Sequence, residues 1–534
     1  MTTARARKPV GTVSLVAAGP GDPELLTARA IALLGLANAV VADANTVGIA
    51  ALYAPQAELV GVVDDDGLPL DHAARAKRVV EQARAGHNVV RLLSGDPILD
   101  GSIAAEANVL HRSKISFEVA PGVSVINGVA AYAGFPLTSA KAREVRVVDF
   151  DSIEDWAAVS DPATTLIVRD GADHAVDIAK ALLAAGRKAD TPIAITRDAT
   201  TVEQRTIAST LEALPPLVKA AKQAGPGTVV VGDVLNSRDK LSWFETKPLF
   251  GWRVLVPRTK EQAGELSAHL RRYGAVPVEV PTISVEPPRT PQQMERAIQG
   301  LVSGRYQWIA FTSANAVKAV REKFEDYGLD ARSMAGLKIA AVGEQTAAAL
   351  IAFGVKPDLV PSGEQSSAGL LADWPPYDAE IDPIDRVFLP RADIATETLA
   401  AGLQAIGWEV DDITAYRTVR AAPPPAATRE AIKTGGFDAV MFTSSSTVRN
   451  LVGIAGKPHA STVVACIGPQ TEQTATEHGL RVDVLSETPN VMVLADNLAA
   501  HAETLRLASL EAGEASWRPS KRRGGSRRKS SVSS

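Results

Sequence analysis

The sequence predicts an α/β protein of several lobes, built mainly on parallel sheets. Short apolar runs of strand character (TVSLVAAG, NAVVAD, HNVVRLL) alternate with longer helical patterns such as PELLTARAIALLGLA. At 534 residues the chain exceeds one hydrophobic core, and about 150 residues per domain implies roughly three or four lobes. A repeat within the second half, set out below, is the third observation.

Composition narrows the class. Apolar residues at 46% and charged residues at 22% exclude a disordered or fibrous chain. The single cysteine, Cys466, forms no internal disulfide, so packed cores carry the stability and a reducing compartment is expected. No apolar run reaches the roughly 20 residues of a membrane span. The start, MTTARARKPVGTVSLV, has basic residues but no apolar segment with a cleavage site, so the cytoplasm is expected. The end, Arg518–Ser534, carries seven Lys or Arg and no acid. Without interleaved aromatic residues it reads as a disordered, solubilising tail and not as a nucleic-acid arm.

The first strand ends in VAAGPGDPELLT. Asp22 is placed as an N-cap and Pro23 at the first helical position, with Leu26, Ala30, Leu33 and Leu34 on one apolar face. No Gly-Lys-Ser/Thr follows, and Pro20 and Asp22 break the dinucleotide fingerprint. An anion site at a helix N-terminus and a plain structural turn both remain open on these residues. The polar and aromatic stretch 235–252 interrupts the pattern and marks a domain boundary.

Beyond that boundary the chain repeats itself. VLVPRTK (254–260) is echoed by VFLPRAD (387–393), IAFTSANAV (309–317) by VMFTSSSTV (440–448), and AAVGEQTAAAL (340–350) by ACIGPQTEQTA (465–475). Offsets of 133, 131 and 125 residues are too long for a solenoid and indicate two similar α/β lobes. In each FTS turn, small hydroxyl side chains join a strand to a helix, which caps the helix and favours an anion there.

In the first half, VSLVAAGPGDPELLTARAIALL, VVRLLSGDP, FEVAPGVSVINGVAAYAGFPLT, TLIVRDG, ALLAAGRKADTPIAITRDATTVEQRTIASTL and TVVVGDV follow one another in an order that resembles the tetrapyrrole methylase family. The resemblance spans residues 11–235 and is strongest to uroporphyrinogen-III C-methyltransferases. It implies S-adenosylmethionine bound between two α/β subdomains, with Pro20, Gly95, Asp96 and Gly232 on cofactor-side motifs. It also implies a homodimer through this half. Asp43 is retained from the family's Tyr-Asp-Arg-Leu-Val run and is the candidate to take or steer the pyrrole proton; a solvated strand-end aspartate is the other reading. Four departures fall on the acceptor side. Ala44 follows Asp43 in place of arginine, Val62, Val63 and Asp64 replace Gly-Lys-Arg, ILDGSIAAE (98–106) replaces an arginine-containing run, and Thr138, Ser139 and Ala140 replace Thr-His-Arg. All four remove cations, or supports of cations, that would hold a polycarboxylate.

Residues from about 250 to 500 resemble uroporphyrinogen-III synthase through WRVLVPR, FTSANAV, VGEQTAAAL, ITAYRTV (413–419), FDAVMFTSSSTV and CIGPQTEQTATEHG. That family has two α/β lobes joined by a pair of strands, the ends of the chain building one lobe and the middle the other. It closes linear hydroxymethylbilane with inversion of the fourth pyrrole and uses no cofactor or metal. Tyr416 matches a cleft tyrosine whose phenol can donate to the departing hydroxyl, an ordinary interlobe aromatic being the alternative. Thr312, Ser313, Ser444, Ser446 and Thr471 lie on matched turns, and Arg258 and Arg391 on the echoed strand ends, as carboxylate holders. For Arg258 an orienting ion pair stays open.

The expectation is therefore a methylase-like domain at 11–235, a linker at 236–251, a bilobed synthase-like domain at 252–502 and a basic tail at 503–534. It would turn hydroxymethylbilane into uroporphyrinogen III and then into precorrin-2, with small tetrapyrroles as partners, no membrane and no nucleic acid. Two alternatives are a synthase with a spent methylase and a non-catalytic porphyrinogen sensor; the lack of a helix-turn-helix or zinc module counts against the sensor.

Overall fold

The computed structural model describes residues 9–63, 68–258, 260–514 and 516–521. The chain forms two compact units. One runs up to Trp252 and includes Leu270–Val276 and Ala502–Glu511; the other holds Arg253–His269, Pro277–His501 and the residues from Ala512.

The first unit opens with β1 (Val13–Ala17), β2 (Ala39–Ala42), β3 (Glu58–Val60), β4 (Val89–Leu93) and β5 (Phe117–Ala120). They form one all-parallel sheet in the order β3-β2-β4-β1-β5. β1, β2 and β4 are buried along their whole length, as expected of strands covered by helices on both faces. The chain leaves β1 toward β2 and leaves β4 toward β5, in opposite directions across the sheet. The crevice at the carboxyl ends of β1 and β4 is thus a topological switch point, where α/β sheets bind ligands.

The second sheet of this unit departs from the expected parallel pattern. Of β6 (Glu144–Asp149), β7 (Thr164–Arg169), β8 (Pro192–Arg197), β9 (Arg205–Thr210) and β10 (Gly227–Val231), only β6 and β7 pair in parallel. β10 runs antiparallel to both β7 and β8, and β8 to β9. The reason lies in ITRDATTVEQRTI, where Asp198 and Thr200 adopt positive φ (48° and 65°) and turn the chain back as a hairpin. The stretch read as a linker is packed into this unit: Phe244, Leu249 and Phe250 are buried, and Tyr132 meets Phe244 edge-on at 4.6 Å.

The second unit holds β11 (Arg253–Val256), β12 (Val276–Glu279), β13 (Ile283–Glu286), β14 (Trp308–Phe311), β15 (Lys338–Ala341), β16 (Arg386–Ala392), β17 (Glu409–Arg420), β18 (Ala439–Phe442), β19 (Val463–Cys466) and β20 (Val484–Leu485). Two sheets result, ordered β12-β11-β18-β19-β20 and β13-β17-β16-β14-β15. The ends of the segment build the first and its middle the second. β13 pairs antiparallel with β17 from Ile283 against Arg420 to Glu286 against Arg417, giving the two-stranded connection. Each echoed segment has one copy in each sheet, and the copies keep their order: β11, β18 and β19 are neighbours, as are β16, β14 and β15.

The tail reading needs correction up to residue 521. Helix Val491–Glu511 and the turn Pro519–Lys521 are ordered elements, and Arg518 is buried. The carboxylate of Asp438, itself fully buried, accepts the N–H groups of Arg253 (2.8 Å) and Ser520 (2.8 Å), with Arg518 Nε 3.5 Å away. A buried carboxylate needs such donors, and the composition of the tail hides that it supplies them. Residues 522–534 lie outside the described residues. Removing Ala512–Ser534 is expected to destabilise this unit by about 1–3 kcal/mol, because Asp438 stays buried with donors missing. Unfolding of the truncated chain by denaturant measures this, and an unchanged midpoint rejects it.

Candidate active sites in the two units

In the first unit the two glycine loops meet at the switch point. Gly19 (φ 74°) donates its N–H to the Gly95 carbonyl (φ 68°) at 3.2 Å, a crossing that a side chain at either position would strain. Pro20 rests on the helix Val125–Ala133 where Gly128 leaves room: a Cβ there would stand 2.6 Å from Pro20 Cγ. Gly128→Ala is therefore expected to cost about 1–3 kcal/mol and to push the first loop outward. Thermal unfolding checks the cost, and retention of the native midpoint contradicts it.

The helix after this loop starts later than the sequence suggests. Asp22 accepts Glu24 N–H (2.9 Å) and caps only the short turn Pro23–Leu25; Thr27, bonded to Ala30 N–H (3.2 Å), caps the helix Ala28–Gly35. Asp22 N–H is spent on Thr200 Oγ1 (3.0 Å), and Tyr132 donates its phenol O–H to Asp22 Oδ2 (2.7 Å). Burial, then that bond, raises the Tyr132 pKa well above its usual value. With these donors taken and a carboxylate at its centre, the turn is no anion cradle.

Beside the crossing lies a cavity of about 540 Å³ lined by Asp43, Arg75, Arg91, Gly95, Asp96 and Arg169, among others. Asp43, at the end of β2, accepts Ser94 N–H (2.9 Å), Arg91 Nη2 (2.7 Å) and Arg75 Nη1 (3.3 Å). Arg91 is fully buried in β4 and grips Glu106 through Nε (2.7 Å) and Nη2 (2.8 Å). Burial lowers the Arg91 pKa, but Glu106 and Asp43 outweigh it and the net shift is upward. Arg169 pairs with Asp149 at 2.6 Å. The fold thus brings arginines to a side of the site where the sequence motifs had lost theirs. One signal was available: an arginine in the apolar strand VVRLL demands a buried carboxylate, and Glu106 lies fifteen residues on.

Asp96 accepts Leu99 N–H (3.2 Å) and lines the cavity, whereas Gly232 (φ 148°) lies beyond the other end of β10 from cavity-lining Thr228 and donates to the Pro192 carbonyl (3.0 Å). Val62 and Val63 line a smaller cavity of about 280 Å³ that shares Asp43, Arg75 and Ser94 with the larger one; Asp64 lies outside the described residues.

In the second unit Ser313 and Tyr416 come together, their hydroxyl oxygens 2.9 Å apart. Ser313 follows β14 and caps the helix Ala314–Asp326 by accepting Ala316 N–H (3.1 Å). Tyr416 is buried in β17, where a register shift sets Ala392 opposite Tyr416 after Arg391 opposite Thr414. A bulge of this kind re-aims a side chain, here toward the end of β14. Thr312 is the half-buried residue just before Ser313.

The echoed arginines differ. Both Nε and Nη2 of Arg391 bind Asp412, which raises its pKa, so this guanidinium is committed. Arg258 is half-buried, burial lowers its pKa, and among the described residues it has no carboxylate partner. In the same lobe Ser444 caps the helix Ser445–Ala455 and lies 2.9 Å from Ser446 Oγ, while Thr471 is buried in the helix Pro469–Glu477. Ser445, which the sequence reading passed over, donates to the Gln470 carbonyl (2.9 Å) and ties these two turns together. Burial pushes the Cys466 thiol up to about 12, which leaves it inert as a nucleophile. Among the described residues no cluster of His, Cys, Asp or Glu could hold a metal ion, and no helix is long and apolar enough to cross a membrane.

Comparison with known proteins follows the same division. Residues 12–215 match the family described as Tetrapyrrole (Corrin/Porphyrin) Methylases, and residues 264–496 match Uroporphyrinogen-III synthase HemD. The chain is 30% identical over 501 residues to the "Porphyrin biosynthesis protein HemD" of Ruminiclostridium josui, covering 91% of this chain and 97% of that protein. It is 39% identical over 251 residues to the "Siroheme synthase" of Ectopseudomonas mendocina (strain ymp), covering 45% of this chain and 54% of the relative, so it spans about half of that protein. A solved uroporphyrin-III-C-methyltransferase from Thermus thermophilus is 32% identical with a TM-score of 0.36, covering 44% of this chain and 97% of that one.

Proposed function

The chain belongs to the HemD family of porphyrin-biosynthesis proteins, enzymes of tetrapyrrole biosynthesis with a methylase part ahead of a synthase part, and on that premise we propose two consecutive reactions. The second unit closes hydroxymethylbilane to uroporphyrinogen III. The first methylates that product at C2 and C7, giving precorrin-2.

The observation that carries the synthase reading is the Ser313–Tyr416 hydroxyl pair. Closure requires the terminal hydroxyl of the linear tetrapyrrole to leave as water. Tyr416 donates the proton that makes it a leaving group, and Ser313 holds the phenol in place. Arg258, with Ser444, Ser446 and Thr471 on neighbouring turns, holds substrate carboxylates in the other lobe. The rest of the catalysis is orientation: a flexible chain must be folded so that its ends meet.

The crevice of the first unit suits S-adenosylmethionine. Its glycine crossing lets backbone approach a ligand, and Asp96 and Asp100 offer the cavity carboxylates without a cation partner among the described residues, which fits a ligand bearing a sulfonium and an ammonium. Pro20, Gly95 and Asp96 would hold it; Gly232, away from this cavity, is given no part. When bound, the group supplies an electrophilic methyl and leaves as S-adenosylhomocysteine. Asp43 takes or steers the pyrrole proton that must leave once the ring carbon, which carries no hydrogen itself, has gained the methyl. A second reading, cofactor binding without transfer, is favoured by the three donors already on Asp43, which reduce its capacity as a base.

One coupled assay separates these readings. Hydroxymethylbilane with labelled S-adenosylmethionine is expected to give both unmethylated uroporphyrinogen III and labelled product. Cofactor binding with no label transferred removes the methylation, and absence of the type III isomer removes the synthase.

A further inference from the structure

We propose that Arg91 is a positioning residue for the methyl-transfer site, fixing the Asp43 carboxylate against the second glycine loop. This rests on the reading of Asp43 as proton acceptor. Arg91 lies opposite Val41 in the β2–β4 pairing, so its guanidinium sits between the two strands whose ends carry Asp43 and Ser94-Gly95-Asp96. All five of its N–H donors have acceptors. Nε and one N–H of Nη2 bind Glu106, the other N–H of Nη2 binds Asp43 Oδ1, and Nη1 reaches the carbonyls of Val41 (3.3 Å) and Leu92 (2.8 Å).

A planar fork bonded on every side cannot rotate, and Asp43 is bonded to it on one oxygen and to Ser94 N–H on the other. The carboxylate is thereby set relative to Gly95 and Asp96 by one side chain that touches both strands. Glu106, fully buried, holds Arg91 from the far side, with His72 Nδ1 3.5 Å away. Arg75 bonds the same oxygen of Asp43 but is partly exposed and, among the described residues, otherwise bonds the Leu70 carbonyl (2.7 Å). Lysine in place of Arg91 would keep the charge but lacks the fork needed to reach Glu106, Asp43 and two carbonyls together.

The test uses the full chain with uroporphyrinogen III and labelled S-adenosylmethionine, and synthase turnover of the second unit as the control for intact protein. Arg91→Lys is expected to lower the methylation kcat by roughly 100-fold, the size of effect that misplacing a reacting group by about 1 Å produces. The Kd for S-adenosylhomocysteine, measured by calorimetry, should change less than about threefold. In Arg91→Ala, added guanidinium should restore part of the rate, since Arg91 lines the cavity. An unchanged kcat in Arg91→Lys overturns the proposal, as does a parallel loss of kcat and S-adenosylhomocysteine binding with no guanidinium rescue. If the wild type transfers no methyl group, the transferase reading fails on its own. The positioning claim is then decided by crystal structures: an Asp43 carboxylate unmoved in Arg91→Lys overturns it, and one released from Ser94 N–H supports it.

Discussion

Tyr416→Phe is expected to slow the closure of hydroxymethylbilane by about 10- to 100-fold, mainly in kcat. The phenol is buried, re-aimed by the irregular pairing of β16 with β17, and bonded to Ser313, so loss of one oxygen removes the donor with little change in packing. Ser313→Ala should have the smaller effect, since it orients the donor and also caps a helix. Initial rates of uroporphyrinogen III formation measure both. Unchanged turnover in the phenylalanine variant would leave Tyr416 as a packed aromatic and shift the proton donor elsewhere.

Glu106→Ala is expected to destabilise the first unit by about 3–5 kcal/mol. Glu106 and Arg91 are both fully buried, and the two hydrogen bonds between them neutralise a pair of charges removed from bulk solvent. Without Glu106 the guanidinium loses two acceptors and keeps Asp43 and two carbonyls, which cannot follow it without parting β2 from β4. Denaturant unfolding of the variant, with synthase activity reporting the other unit, reads the loss. A change below about 1 kcal/mol would show that water or a rearranged Arg91 compensates.

The parts of the fold legible in the sequence were those set by local pattern. Apolar runs gave the parallel sheets, and three ordered echoes gave the paired lobes, which occupy equivalent strands in the two sheets. What the pattern hid was long-range. The antiparallel hairpin β8–β9 depends on two non-glycine residues at positive φ, Asp198 and Thr200, which composition does not announce. The docking of Arg518 and Ser520 on Asp438 joins residues about eighty positions apart. At the sites, Ser313 and Tyr416 were read separately and meet in the structure. Arg258 and Arg391 were read alike and differ, because Asp412 pairs with one of them and, among the described residues, no acid pairs with the other. The cations beside Asp43 were missed because motif comparison asks which expected residues are gone, while Arg75 and Arg91 arrive from strand and helix positions that only the fold brings together.

The duplication in the second unit acquires a different meaning from those two arginines. Copies of one ancestral pattern begin with the same Pro-Arg strand end and the same FTS turn, yet each has kept a different half of the equipment. One has at Arg258 a positive charge with no carboxylate partner among the described residues; the other has paired its arginine with Asp412 and put a tyrosine against its serine. A linear substrate has a head and a tail, and a pair of identical lobes could not tell them apart. On the proposed reading, divergence between the copies would supply that polarity, and direction along the substrate would be read through the loss of internal symmetry.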